Sequence, residues 1–204
     1  MKRFVITGTD TGIGKTVFAA ALTAALKGVY WKPVQAGLEG ETDSEIVARL
    51  SGMKALPEAY RFKLAASPHK AAAAENIRID PTRLALPQTP APLIVEGAGG
   101  LLVPLTEDLL FADIFARWQA PLILCAATRL GTINHTLLSL EAIRTRNIPL
   151  LGVAFIGEAN QDSQRIIAKF SGAKILGHLA PVAPLNTENL ARAFAANFDL
   201  GDFA

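Results

Sequence analysis

Residues 7–16 read Thr-Gly-Thr-Asp-Thr-Gly-Ile-Gly-Lys-Thr and stand between a short apolar run and a longer amphipathic one. A glycine-rich turn from strand to helix aims successive backbone N–H groups, and the positive end of the helix dipole, at one point. That makes an anion cradle. Gly12 and Gly14 let a phosphate approach the backbone, Lys15 has the reach for β- and γ-oxygens, and the Thr16 hydroxyl suits Mg²⁺. The strict phosphate-loop spacing would put a glycine where Thr9 stands; Gly8 lies one residue earlier, so the loop is a variant. A metal–phosphate site also needs carboxylates. Glu96 ends the apolar run Leu93-Ile94-Val95-Glu96 and leads into Gly97-Ala98-Gly99-Gly100. An acid at the C-terminal end of a parallel strand faces the edge where ligands bind. Asp43, in Glu41-Thr42-Asp43-Ser44, reads locally as the N-cap of a helix beginning near Ser44. Lys32 ends a second apolar run; there it could neutralise a transferring phosphoryl group or an anionic substrate, but its local pattern alone favours a solvated surface lysine.

These residues need elements to hold them. Short apolar runs at 3–7, 29–34, 93–96, 122–126, 150–155 and 174–179 read as strands, and longer amphipathic ones at 14–26, 44–50, 110–118, 133–146, 162–170 and 187–195 as helices. Runs such as Leu122-Ile123-Leu124-Cys125-Ala126 are apolar on both faces, as in a parallel sheet covered by helices on both sides. The alternation predicts an α/β, doubly wound, mostly parallel sheet with helices on both faces, and a single domain over residues 1–204. The proline-rich stretch 54–92 reads as connecting turns and short helices.

Composition narrows the class. Twenty Lys and Arg against 18 Asp and Glu leave a net charge of +2, which provides no basic stripe for nucleic acid. Half of the residues are apolar, which excludes disorder. One cysteine, Cys125, cannot form an internal disulfide and reads as inert core. The basic start breaks at Thr7-Gly8 after three apolar residues, too early for a signal peptide, and no run is long enough to span a bilayer. The expectation is a cytoplasmic protein with no membrane or nucleic-acid partner. His69 and His135 are lone histidines and read as structural.

Taken together, Thr7–Thr16, Trp31–Gly37 (WKPVQAG), Ser67–His69 (SPH), Val95–Gly100 (VEGAGG) and Leu130–His135 (LGTINH) resemble the ATP-dependent dethiobiotin synthetases, with the motifs in that family's order up to about residue 140. The resemblance implies a fold of the P-loop NTPase type and a ligase of biotin biosynthesis that takes 7,8-diaminononanoate, CO₂ and a nucleoside triphosphate. It implies that Gly12, Ile13, Gly14, Lys15, Thr16 and Val17, with Glu96, Gly97, Ala98, Gly99 and Pro181, bind ATP. Thr16, Asp43 and Glu96 would hold Mg²⁺, and Lys15 and Lys32 would be the catalytic cations. Substrate would meet Lys32 and Ala36, and Gly131, Thr132, Ile133 and Asn134 lent across a homodimer interface. A carbamate on one amine would attack the γ-phosphate, and the second amine would close the ring and release phosphate.

The sequence departs from that family at Ala36, where a Ser or Thr usually stands, and at Gly157-Glu158, where many members carry a base-reading asparagine. Asp10 beside an anion site needs a cation to balance it; the expectation is that it orients Lys15 or Lys32, or receives a substrate ammonium. The competing reading is a partitioning-type nucleotide-dependent ATPase switch. Those proteins place a signature lysine five residues before the loop lysine, at the position of Asp10. A cobyrinate-type amidotransferase would need a glutaminase domain, for which 204 residues leave no room.

Overall fold

The computed structural model describes residues 2–204. In chain order the strands are β1 (Arg3–Gly8), β2 (Val29–Trp31), β3 (Val34–Ala36), β4 (Ala55–Leu56), β5 (Tyr60–Phe62), β6 (Leu93–Glu96), β7 (Leu122–Ala127), β8 (Leu150–Ile156) and β9 (Ile175–Leu179). The helices are α1 (Lys15–Ala25), α2 (Asp43–Ser51), α3 (Pro68–Ala74), α4 (Phe111–Trp118), α5 (Thr132–Thr145), α6 (Gln161–Ser171) and α7 (Thr187–Asn197), with 3₁₀ turns at Pro81–Leu84 and Leu200–Phe203. Seven strands form one sheet in the order β4-β2-β6-β1-β7-β8-β9, and every pair in it is parallel.

Both faces of that sheet are covered, as continuous apolar strands require. Along β1, Phe4 and Ile6 point into a core built with Phe18 and Leu22 of α1, Val47 and Leu50 of α2, and Leu190 and Phe194 of α7. Val5 points the other way, into a core with Phe111 and Phe115 of α4, Leu140 and Ile143 of α5, and Ile167 of α6. The period-2 alternation of a strand thus divides β1 between the two layers. Strands β6 and β1 are neighbours (Ile6 opposite Glu96), and β2 flanks β6 (Tyr30 opposite Ile94). Their C-terminal ends therefore open at one edge, where a doubly wound sheet binds ligands.

Two expectations are corrected. The run 29–34 is not one strand: β2 ends at Trp31, and β3 pairs instead with β5 in a separate two-stranded parallel sheet. Proline has no N–H for a ladder, and Pro33 turns its carbonyl outward to accept from Ala59 and Tyr60. The break leaves Lys32 at the junction of the two sheets. Stretch 54–92 does hold short helices, and it also supplies β4 and β5.

A candidate nucleotide and substrate site

The loop between β1 and α1 is tied from both sides. Thr9 N–H donates to the Cys125 carbonyl of β7, and Leu101 N–H, beyond β6, donates to the Gly8 carbonyl. Gly14 is the N-cap of α1, with φ 95°, a left-handed conformation that side chains rarely adopt. A Cβ there would come within 2.8 Å of Ile156 Cγ2. Lys15 opens the helix, is buried, and donates from Nζ to the Asp10 carbonyl at 3.0 Å. Burial pulls the Lys15 ammonium below its ordinary range, and the nearby Glu96 carboxylate only partly restores it.

The next residue, Thr16, meets both candidate carboxylates: its hydroxyl lies 3.1 Å from Asp43 Oδ1 and 3.0 Å from Glu96 Oε1. Lys32 is not a surface lysine. It is 3% exposed, and Nζ donates to Asp43 Oδ2 at 2.7 Å, Glu96 Oε1 at 3.1 Å and the Gly97 carbonyl at 3.1 Å. Burial alone would lower the Lys32 pKa, but the Glu96 and Asp43 carboxylates outweigh it and hold the ammonium above its usual value. Asp43 mirrors this: burial would raise its carboxyl, and Lys32, with the Thr16 hydrogen bond, brings it below the ordinary carboxylate value.

Asp43 does not cap α2. Thr42 does, accepting from Glu45 N–H while the Glu45 carboxylate accepts from Thr42 N–H, a complete capping box. With the cap supplied one residue earlier, Asp43 occupies the first helical position and turns its carboxylate to Thr16 and Lys32. Glu96 is 1% exposed and takes a further hydrogen bond on Oε2, from the buried Tyr30 hydroxyl at 2.9 Å. Burial, and then the Glu96 charge, push the Tyr30 hydroxyl pKa well above its ordinary value, so it stays a donor. The following Gly97 packs so close to α4 that a Cβ would meet Phe115 Cζ at 2.7 Å.

These groups line one cavity of about 530 Å³. Its wall includes Gly12, Gly14, Lys15, Thr16, Lys32, Ala36, Asp43, Glu96, Ala98 and Gly99. Ser67, at the N-cap of α3 with no side-chain cap bond, also lines it. Ile13 is buried in the core, so its backbone alone is available at the loop. Gly14 also borders a second, smaller cavity of about 160 Å³, whose lining comprises Val17, Ile156, Gly157, Leu179, Ala180, Pro181, Val182 and Leu185. Val17 and Pro181 therefore belong to this apolar annex rather than to the charged cavity. Residues Gly131–Asn134 line neither cavity in the single chain; they open α5, with Gly131 as N-cap. The Thr132 hydroxyl turns inward to the Ala127 carbonyl, and Asn134 is exposed.

Asp10 departs from the expectation that it orients a lysine. Its carboxylate does not orient either lysine; it accepts from Thr11 N–H at 2.7 Å and pairs with Arg129, also at 2.7 Å. Lys15 is held by the Asp10 backbone carbonyl instead. Sequence reasoning missed Tyr30, whose only signal was its place two residues before Lys32 on an apolar strand, and Arg129, visible only through its partner. Cys125 is fully buried, and burial raises its thiol far above the ordinary value, as an inert core residue requires.

A phosphate loop, a buried strand-end acid and a parallel sheet opening at one edge define a P-loop nucleotide-dependent enzyme fold. The model of the AAA domain family matches residues 2–189. Among solved structures, a ParA family ATPase from Chlorobium tepidum superposes with a TM-score of 0.59 over 96% of this chain and 92% of its own, at 13% identity. A plasmid partition protein from Borrelia burgdorferi bound to AMPPNP gives 0.58 over 98% and 91%, at 12% identity. Likeness at that identity concerns the fold alone. Curated relatives are far nearer: "ATP-dependent dethiobiotin synthetase BioD" of Agrobacterium fabrum is 62% identical over 98% of this chain and 96% of its own length. The protein of the same name from Sphingopyxis alaskensis is 61% identical over the full length of both. The chain belongs to the dethiobiotin synthetase family, and the relationship runs well past residue 140, where the recognisable motifs stop.

Proposed function

We propose that the chain carries out the ATP-dependent carboxylation and ring closure of 7,8-diaminononanoate to dethiobiotin, in a single unit spanning its length. The observation that carries this reading is the convergence on one cavity of the phosphate loop, Lys32, Ala36, Asp43 and Glu96, in a chain 62% identical to a dethiobiotin synthetase. Gly12–Thr16 hold the phosphates, Glu96, Ala98 and Gly99 form the facing wall, and the annex lined by Val17 and Pro181 takes the base. That annex presents apolar side chains and the Gly157 backbone, so base selection rests on shape.

Thr16, Asp43 and Glu96 fit Mg²⁺: the set is oxygen only, with two carboxylates and a hydroxyl, as a hard cation prefers. When bound, Mg²⁺ offsets charge on the phosphate oxygens. A carboxylate has about four lone-pair positions, so Asp43 and Glu96 can keep Lys32 while serving a metal. Lys15 supplies positive charge at the β/γ-phosphates, and Lys32 stands where the γ-phosphate and the substrate carbamate meet. The substrate brings its own nucleophiles: the carbamate oxygen attacks the γ-phosphorus and expels ADP. The second amine then attacks the carbamate carbon and expels phosphate. The protein contributes position and compensating charge.

A homodimer completes the site in this reading, with Asn134 and the backbone opening α5 reaching a partner's substrate carboxylate. Exposed Leu102 and Leu138 support it, because they line a groove of about 450 Å³ beside Asp10 and His135, and Leu130 is exposed as well. Such a patch of exposed leucines is an association surface. Leu138→Glu is expected to yield monomer by sedimentation and to lower kcat/KM at least tenfold; an unchanged dimer would place the interface elsewhere. Localisation is read as cytoplasmic; among the described residues, no helix is long and apolar enough to cross a membrane.

The test is phosphate release with Mg²⁺, bicarbonate and ATP, CTP or GTP, with and without the diamine. Release that depends on 7,8-diaminononanoate and matches dethiobiotin by mass spectrometry is expected. Diamine-independent hydrolysis would instead favour the switch reading that the ParA-like fold allows.

A further inference from the structure

Tyr30 is 0% exposed, and it is a large polar residue in a place where phenylalanine would fill the same volume. Its ring packs in the core layer with Phe18, Val47, Leu50 and Ile94. Strand β2 fixes it in register opposite Ile94, two residues before Glu96 on the neighbouring strand. A buried hydroxyl is costly unless it is hydrogen-bonded, and this one has a charged acceptor, Glu96 Oε2 at 2.9 Å.

The partners of Glu96 divide by oxygen. Oε2 accepts from Tyr30 on the core side, whereas Oε1 accepts from Thr16 at 3.0 Å and Lys32 at 3.1 Å on the cavity side. The terminal torsion of a glutamate is broad and nearly two-fold, so nothing intrinsic keeps the carboxylate in this orientation. Lys32 alone would accept either oxygen or both, and so would not fix which one faces Thr16. We propose that Tyr30 is a positioning residue for Glu96: its hydroxyl anchors Oε2 in the core and leaves Oε1 as the oxygen available to the metal beside Thr16. This rests on the reading of Thr16, Asp43 and Glu96 as the Mg²⁺ ligands.

The expected behaviour follows from what outer groups do for metal ligands. Removing a group that orients a ligand costs about 10- to 100-fold in metal affinity. Mn²⁺ serves as the probe, titrated into the full chain with ADP and followed by the loss of the free-ion electron paramagnetic resonance signal. Tyr30→Phe is expected to weaken Mn²⁺ binding about tenfold. ADP affinity in EDTA, which reads the phosphate loop without metal, is expected to stay within a factor of two, as is appropriate for a variant that keeps the ring. Glu96→Gln, which removes the ligand charge itself, is expected to weaken Mn²⁺ more than Tyr30→Phe does.

Unchanged Mn²⁺ affinity in Tyr30→Phe, with the wild type and Glu96→Gln behaving as expected, would overturn the role of Tyr30 alone. An equal fall in metal-free ADP affinity would also overturn it, because the hydroxyl would then serve the fold. No ADP-dependent Mn²⁺ binding in the wild type would sink the metal reading, and the Tyr30 inference with it.

Discussion

Lys32→Met is expected to unfold roughly 6–20 °C below the wild type in EDTA and to regain much of that loss in millimolar Mg²⁺. Lys32 is 3% exposed and bridges Asp43 at 2.7 Å and Glu96 at 3.1 Å. Removing one partner of a buried ion pair leaves uncompensated charge and costs about 3–5 kcal/mol, which at about 2–4 °C per kcal/mol for a chain of this length is roughly 6–20 °C. The folded ammonium is held above its ordinary pKa. Its stabilisation is therefore present below the unfolded lysine value, about pH 10.4, and is lost as pH rises through the higher folded value. Mg²⁺ would restore positive charge between the same two carboxylates. Turnover would not return with stability, since a missing transition-state cation costs about 10²- to 10³-fold. Scanning calorimetry with and without Mg²⁺ reads the effect; a midpoint unmoved in EDTA would contradict it.

Lys15→Ala is expected to do the reverse: about 10³-fold lower kcat/KM, with an unfolding midpoint equal to or above the wild type without nucleotide. Lys15 is buried, has the Asp10 carbonyl as its hydrogen-bond acceptor, and is shifted downward by burial. A lysine with a depressed folded pKa is one whose ammonium the ligand-free fold disfavours, so stability rises as pH climbs through the folded value toward the unfolded one. In the proposed function the missing counter-charge is a phosphate. Two lysines lining one cavity thus differ in kind: Lys32 is balanced by the protein itself, and Lys15 awaits ligand. Thermal unfolding with and without ATP distinguishes them, because ATP should stabilise the wild type and barely affect Lys15→Ala.

Much of this was legible in the amino-acid pattern because it depends on local rules. The two-sided apolar strands specified a covered parallel sheet, and Gly14 before Lys15 specified a helix start that only glycine permits easily. The break at Lys32-Pro33 was not legible as a break, since the apolar run continues through Val34. It took Pro33 leaving the main sheet, and β5 arriving from the proline-rich stretch, to end β2 there. Asp43 looked like a cap because Asp before Ser is a good cap; Thr42, also a good cap, won through its reciprocal bond with Glu45. Tyr30 and Arg129 were hidden for one reason. Each acts on a residue 66 or 119 positions away, and a single chain of letters carries no record of such pairing.

The most direct measurement follows oxygen. In the proposed reaction no protein group is the nucleophile, and the oxygen that leaves with phosphate comes from CO₂. Turnover of 7,8-diaminononanoate and ATP with ¹⁸O-labelled bicarbonate in ordinary water, stopped before the label exchanges, is expected to give phosphate carrying one ¹⁸O per turnover, and dethiobiotin labelled in its ureido carbonyl. Phosphate whose new oxygen comes from water would contradict attack by a carbamate, and with it the assignment of this cavity to carboxylation and ring closure.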